Sequence, residues 1–188
     1  VIWRSRRNPV RAAAILGYRR VVEQSRQRVF FTDYQVPDTL DGRFELICLH
    51  AFLYLHRLKS ERAQTRRFCQ ELFDTMFADM DRSLREMGRS DLGVGREVKR
   101  MARGFYGRIC AYEEGLAGAD SLLAAALARN LFGTLAGAPP LAAASAYVRR
   151  AAAALAAQPT AELLAGRIVF PRPEPLSAPA AGPVGAER

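Results

Sequence analysis

Three successive runs between Val36 and Tyr112 place apolar side chains every three or four residues, and this spacing restricts the chain to packed helices more firmly than any other feature. Phe68, Leu72, Met76 and Met80, interleaved with Phe73, Phe77, Leu84 and Met87, form the clearest amphipathic stripe, with Arg67, Glu71, Asp74, Asp81 and Arg85 on much of the opposite side. Val94, Val98, Met101, Phe105, Ile109 and Tyr112 repeat the pattern further on. The earlier run from Phe44 to Leu58 is apolar around most of its circumference, which predicts a central helix with protein on nearly every side. Asp41 is the expected N-cap of that helix, and Glu45 is expected to favour its dipole. Gly88 ends the second run, and the segment from Asp91 to Gly95 is read as a turn using Gly93 and Gly95.

The flanks extend the helical pattern. A helix is expected over 10–28, started by Pro9 and covered by arginines, before an aromatic patch of Phe30, Phe31 and Tyr34. Pro37 biases Val36 away from helical geometry. Alanine-rich helices are expected over 120–132 and 141–157, broken by Pro139, Pro140 and Pro159, with a short extended edge over 168–170. Prolines at 171, 173, 175, 179 and 183 predict a disordered tail. The expected fold is therefore all-α: a single compact helical domain or irregular bundle over 10–170, a flexible basic start over 1–9 and a proline-rich tail over 171–188.

Charge and chemistry narrow the function classes. The formal net charge is +9, and the first 28 residues hold eight arginines against one glutamate, so the excess lies at the amino terminus. Such charge suits nucleic acid, anionic lipid or an acidic partner, and equally a solvated helix face. Cys48, Cys69 and Cys110 stand singly in apolar surroundings, which predicts reduced thiols. The two histidines, His50 and His56, fall in no metal-ligand spacing. Asp74, Asp79 and Asp81 lack the Glu and His partners of a di-metal bundle. Gly88, Gly93 and Gly95 precede no GK[ST] signature and serve as a helix connection. No cofactor, metal or catalytic residue is expected, and no uninterrupted apolar run of membrane-spanning length occurs.

Several ordered blocks, VPDTLDGRFEL followed by LH and FL, then LFDTMFADMDRSLREMG, DLGVGREVKRMA and FYGRICAY, resemble the ubiquinol-cytochrome c chaperone family over roughly residues 34–115. Ser90 stands where that family's pattern has glycine before its DLxVG segment. The resemblance implies a noncatalytic assembly factor or chaperone that acts by protein contact on newly made cytochrome b, or on an assembly intermediate, in biogenesis of the cytochrome bc1 complex. It also implies work near the ribosome, while peripheral contact with a membrane is left open by a chain with no apolar run long enough to span one. The short amino-terminal region favours a bacterial-type member in the cytoplasm, at the inner surface of the cytoplasmic membrane, with the mitochondrial matrix as the alternative.

Such a factor needs a surface in place of a reaction centre. Met76, Phe77, Met80 and Met101 are candidates for capturing an apolar client, since methionine adapts its shape, although core packing claims the same atoms. Candidate recognition residues are Asp38, Asp41, Arg43, His50, Asp74, Asp81, Arg96, Lys99, Arg100 and Arg103. His50 reads more readily as a hydrogen-bonded core residue, and the cations from Arg96 to Arg103 as a solvated face. The alternative function, a ribosome- or RNA-binding adaptor, rests on that face and on the basic start.

Overall fold

The computed structural model describes residues 8–176, apart from 134 and 136. Its α-helices are α1 (Pro9–Ser25), α2 (Val29–Thr32), α3 (Leu40–Leu58), α4 (Arg62–Glu86), α5 (Asp91–Ala117), α6 (Asp120–Asn130), α7 (Leu141–Ala156) and α8 (Thr160–Leu164). A single 3-10 turn, Lys59–Glu61, joins α3 to α4. As its apolar circumference predicts, α3 is the central element: Leu46, Leu49, Phe52, Leu53 and Tyr54 are all buried, and α1, α4, α5 and α7 pack around it. Asn8 reaches Glu71 and Tyr18 reaches Asp79, so α1 and α4 run parallel. The three cysteines are free thiols.

The ends of α3 and α5 differ from expectation. Thr39, not Asp41, caps α3: its Oγ1 accepts the Gly42 N–H at 3.1 Å, and Asp41 lies exposed in the first turn. Extended backbone at Thr39 aims its hydroxyl at the open helix end, whereas Asp41 is already helical and contributes only charge. We expect Thr39→Ala to lower the unfolding free energy by about 1 kcal/mol and Asp41→Ala by only about 0.3 kcal/mol, measured by urea denaturation. Gly42 is fixed by close approach: a Cβ there would stand 2.0 Å from the Pro37 carbonyl oxygen. At α5 the expected turn is instead helix from Asp91 onward, because Ser90 caps it by accepting the Gly93 N–H at 3.3 Å. Gly88, at φ +80°, is the residue that turns the chain out of α4.

Carboxy-terminal to α7 the chain returns along α1. No strand occurs among the described residues, and the edge expected over 168–170 is irregular. Val169 pairs with a side chain in place of a strand: its N–H donates to Gln158 Oε1 at 3.0 Å and its carbonyl accepts from Gln158 Nε2 at 2.6 Å. Packing continues past 170. Pro173 is buried, and the Leu176 N–H donates to Asp33 Oδ2 at 3.1 Å. The remainder of the expected tail, 177–188, and residues 1–7 of the expected flexible start lie outside the described residues.

His50 joins three of these layers. It is fully buried, with Phe30 and Phe170 edge-on to its ring. The Leu46 carbonyl, 2.8 Å from Nδ1, can only accept, so Nδ1 carries the proton and Nε2 accepts from the Tyr147 hydroxyl at 2.8 Å. Tyr147 in turn accepts from Gln24 of α1 at 2.8 Å. Burial pushes protonation of the imidazole down to about 4. His50 is thus a neutral, fully bonded tie between α1, α3 and α7, and its ring presents no surface to a partner.

Candidate functional site

The amino-terminal turns of α3, the end of α4, the first half of α5 and the end of α6 enclose a groove of about 560 Å³. Its apolar lining runs from exposed side chains at the rim to buried ones within. Leu40 is 54% exposed and Met87 51%, each at a helix terminus where no neighbouring helix covers it. Met80, Leu84 and Met101 continue this lining inward. Asp41, Arg89, Glu97, Arg100 and Arg129 supply its charge.

An ion pair lies at the base of the groove. Arg108 of α5 donates from Nε to Glu45 Oε2 at 2.6 Å and from Nη2 to Oε1, with side-chain exposures of 20% and 10% respectively. The guanidinium also lies 5.8 Å from the centre of the Phe44 ring. Burial raises the Glu45 carboxyl above its ordinary value even though Arg108 pulls it down, so removal from water outweighs the attraction of the pair. The Tyr112 hydroxyl and Asn130 Nδ2 are buried without a hydrogen-bond partner among the described residues, and Asn130 lines the groove.

The candidate residues divide by place. Asp41, Arg100, Met80 and Met101 line the groove, and Arg100 is paired with Glu97 at 3.1 Å. Asp38 and Arg43 form an exposed pair at 2.7 Å, which holds the Asp38 carboxyl below its usual range. Asp81 takes Arg85 at 2.6 Å, and Arg85 also reaches Asp91, so Asp81 secures the α4–α5 junction. Asp74 lies exposed on α4 between α1 and α4, outside the groove. Arg96, Lys99 and Arg103 are exposed on α5 outside the groove, without an ion-pair partner among the described residues. Met76 and Phe77 are buried in the core, which corrects their place among the capture candidates: α4 turns them inward and leaves Met87 outermost.

The sequence reading missed Leu40, Met87, Arg129 and the Glu45–Arg108 pair as parts of the site. The pair had one legible signal. Glu45 stands between Phe44 and Leu46 on a helix apolar nearly all round, a position where an acid needs a cation from another element.

The described residues thus form an all-helical body with an apolar-and-charged groove, and no cluster of metal-ligating side chains occurs among them. The chain belongs to the ubiquinol-cytochrome c chaperone family, whose model matches residues 32–170. It is 32% identical over 122 residues to ubiquinol-cytochrome-c reductase complex assembly factor 1 of Xenopus laevis, covering 65% of this chain and 61% of that one. It is also 32% identical over 111 residues to the mitochondrial protein CBP3 of Saccharomyces cerevisiae, covering 56% of this chain and 32% of that one. The chain thus spans less than two thirds of the length of these curated relatives. The crystal structure of the Cbp3 homolog from Brucella abortus superposes with a TM-score of 0.76 at 41% identity, covering 85% of this chain and 88% of that one. No helix among the described residues is long and apolar enough to cross a membrane.

Proposed function

We propose that the protein is a noncatalytic assembly factor for the cytochrome bc1 complex that holds newly made cytochrome b, or an assembly intermediate containing it, in the groove at the helix ends. The observation that carries this is the union of exposed Leu40 and Met87 with a charged rim, on the same elements that bear the family's sequence blocks. Covering one such half-exposed side chain contributes about 1 kcal/mol, so the two seed a weak contact that the rest of the groove and its rim must extend and that a membrane later reverses. The groove's charges keep the apolar patch small enough for the protein itself to remain dispersed. This activity is placed in a bacterial cytoplasm, at the inner surface of the membrane, or in the equivalent matrix compartment of mitochondria.

Deleting the gene should reduce assembled bc1 complex while unrelated membrane complexes persist. Leu40→Asp with Met87→Asp should not rescue assembly although its circular dichroism matches wild type. A photo-crosslinker at Met87 should recover cytochrome b. Normal bc1 abundance together with no such cross-link would oppose the proposal. The ribosome- or RNA-adaptor reading is supported by Arg96, Lys99 and Arg103, exposed and without an ion-pair partner among the described residues. It gains if Lys99→Glu with Arg103→Glu abolishes salt-sensitive co-sedimentation with ribosomes and leaves bc1 assembly intact.

A further inference from the structure

A second groove, of about 640 Å³, runs between the parallel helices α1 and α4. Its base is apolar and small: Ile15 and Val22 are half-buried, and Ala78 is exposed. Tyr18 closes the bottom by donating its hydroxyl proton to Asp79 at 2.9 Å. The charges on the two sides are sorted by sign once internal pairs are set aside. Glu23 on the α1 side is held by Arg20 at 2.8 Å, and Arg82 on the α4 side is held by Asp79. What is left on α1 is Arg11, Arg19 and Arg26, all exposed; what is left on α4 is Glu71 and Asp74. None of these five has an ion-pair partner among the described residues. Asn8 donates to Glu71 at 3.1 Å and Gln70 donates to Asp74 at 2.8 Å, and both contacts leave the carboxylate charges uncompensated.

We infer that this groove docks an amphipathic helix from another protein, apolar along one stripe, acidic on the flank beside α1 and basic on the flank beside α4. Two parallel helices with a shallow apolar seam offer the cradle of a three-helix packing. From Arg11 to Arg26 the seam extends about 22 Å, the length of roughly four helical turns. Nucleic acid and an anionic membrane fit poorly, because Glu71 and Asp74 would repel phosphate. The site lies apart from the client groove, and its basic side precedes the residues matched by the family model.

The test uses the full chain and three synthetic helical peptides of 16 residues (about four turns) sharing one alanine-leucine stripe. The first peptide has one glutamate flank and one lysine flank, the second two glutamate flanks and the third two lysine flanks. The mixed peptide should bind about tenfold more tightly than either other peptide, from several weak surface pairs acting together. Reversing Arg11, Arg19 and Arg26 to Glu makes both sides acidic and should transfer the preference to the two-lysine peptide. Reversing Glu71 and Asp74 to Arg should transfer it to the two-glutamate peptide, which keeps the test available if one variant does not fold. Equal affinities, no binding, or a preference unmoved by both reversals would overturn the inference. In cells, a photo-crosslinker at Ala78 should attach to an amphipathic helix of a different protein. Attachment to residues 1–7 or 177–188 of the same chain, to a second copy or to lipid would overturn it. Each charge-reversed variant should retain its cross-link from Met87 to cytochrome b, so that failure here and failure of the assembly-factor proposal give different results.

Discussion

Arg108→Ala is expected to lower the unfolding free energy by about 4 kcal/mol at neutral pH, because it leaves the Glu45 carboxylate buried with no cation. Burial already raises Glu45 with Arg108 in place, and the variant raises it further. The unfolded chain releases this proton near 4.5, the ordinary glutamate value. Between that value and the higher folded one, the native state of the variant holds more protons than the unfolded state, so its stability falls as pH rises. The deficit relative to wild type should accordingly be small near the ordinary glutamate value and grow as pH rises above it, as urea denaturation across that range would show. Glu45→Gln combined with Arg108→Met should recover most of the loss, since replacing both charges removes the burial penalty with them. A deficit independent of pH would place the effect in the packing of the arginine stem.

His50 produces the opposite slope. Its folded value near 4 lies below the ordinary 6.5, so between the two the unfolded chain takes up a proton that the native state refuses. Stability is full above about 6.5 and is lost as pH falls toward 4, by about 3 kcal/mol in all and about 2 kcal/mol by pH 5. The raised Glu45 carboxyl adds a slope of the opposite sign, and it does so equally with and without the imidazole. His50→Gln takes up no proton and should flatten the slope between pH 6.5 and 5, whatever its own cost in stability. Equal slopes for the two proteins, measured by denaturant unfolding across that window, would remove His50 as the source.

The helices were legible where periodicity alone determines them. The Phe68 to Met87 stripe maps onto α4, and the all-round apolar run from Phe44 to Leu58 maps onto central α3. Helix starts were less legible because neighbouring residues offered equivalent chemistry: Thr39 and Asp41 both cap well, and backbone direction decides between them. Gly93 and Gly95 suggested a turn by their own preferences, yet the Ser90 cap and the buried Val94 draw them into helix. The groove was legible only in part. Asp41, Met80, Arg100 and Met101 were candidates spread over three helices, but their meeting place depends on how α3, α4, α5 and α6 cross, which local spacing does not encode. Asp74 shows the same limit, since it shares a helix with Met80 and faces a different groove.

The return of the carboxy-terminal segment along α1 and α3 bears on how this protein is made. The Tyr54 hydroxyl donates to the Leu163 carbonyl at 2.5 Å, and Gln24 of α1 donates to the Pro171 carbonyl at 2.9 Å, across 147 positions of sequence. An emerging chain therefore makes these contacts last, after α1 has met α3 and α4, and a contact of such separation closes slowly. The groove of Leu40 and Met87 involves only residues between Leu40 and Gly133. During translation its walls are all available before the carboxy-terminal segment reaches α1, so the groove is complete while that one side of α1 is still uncovered.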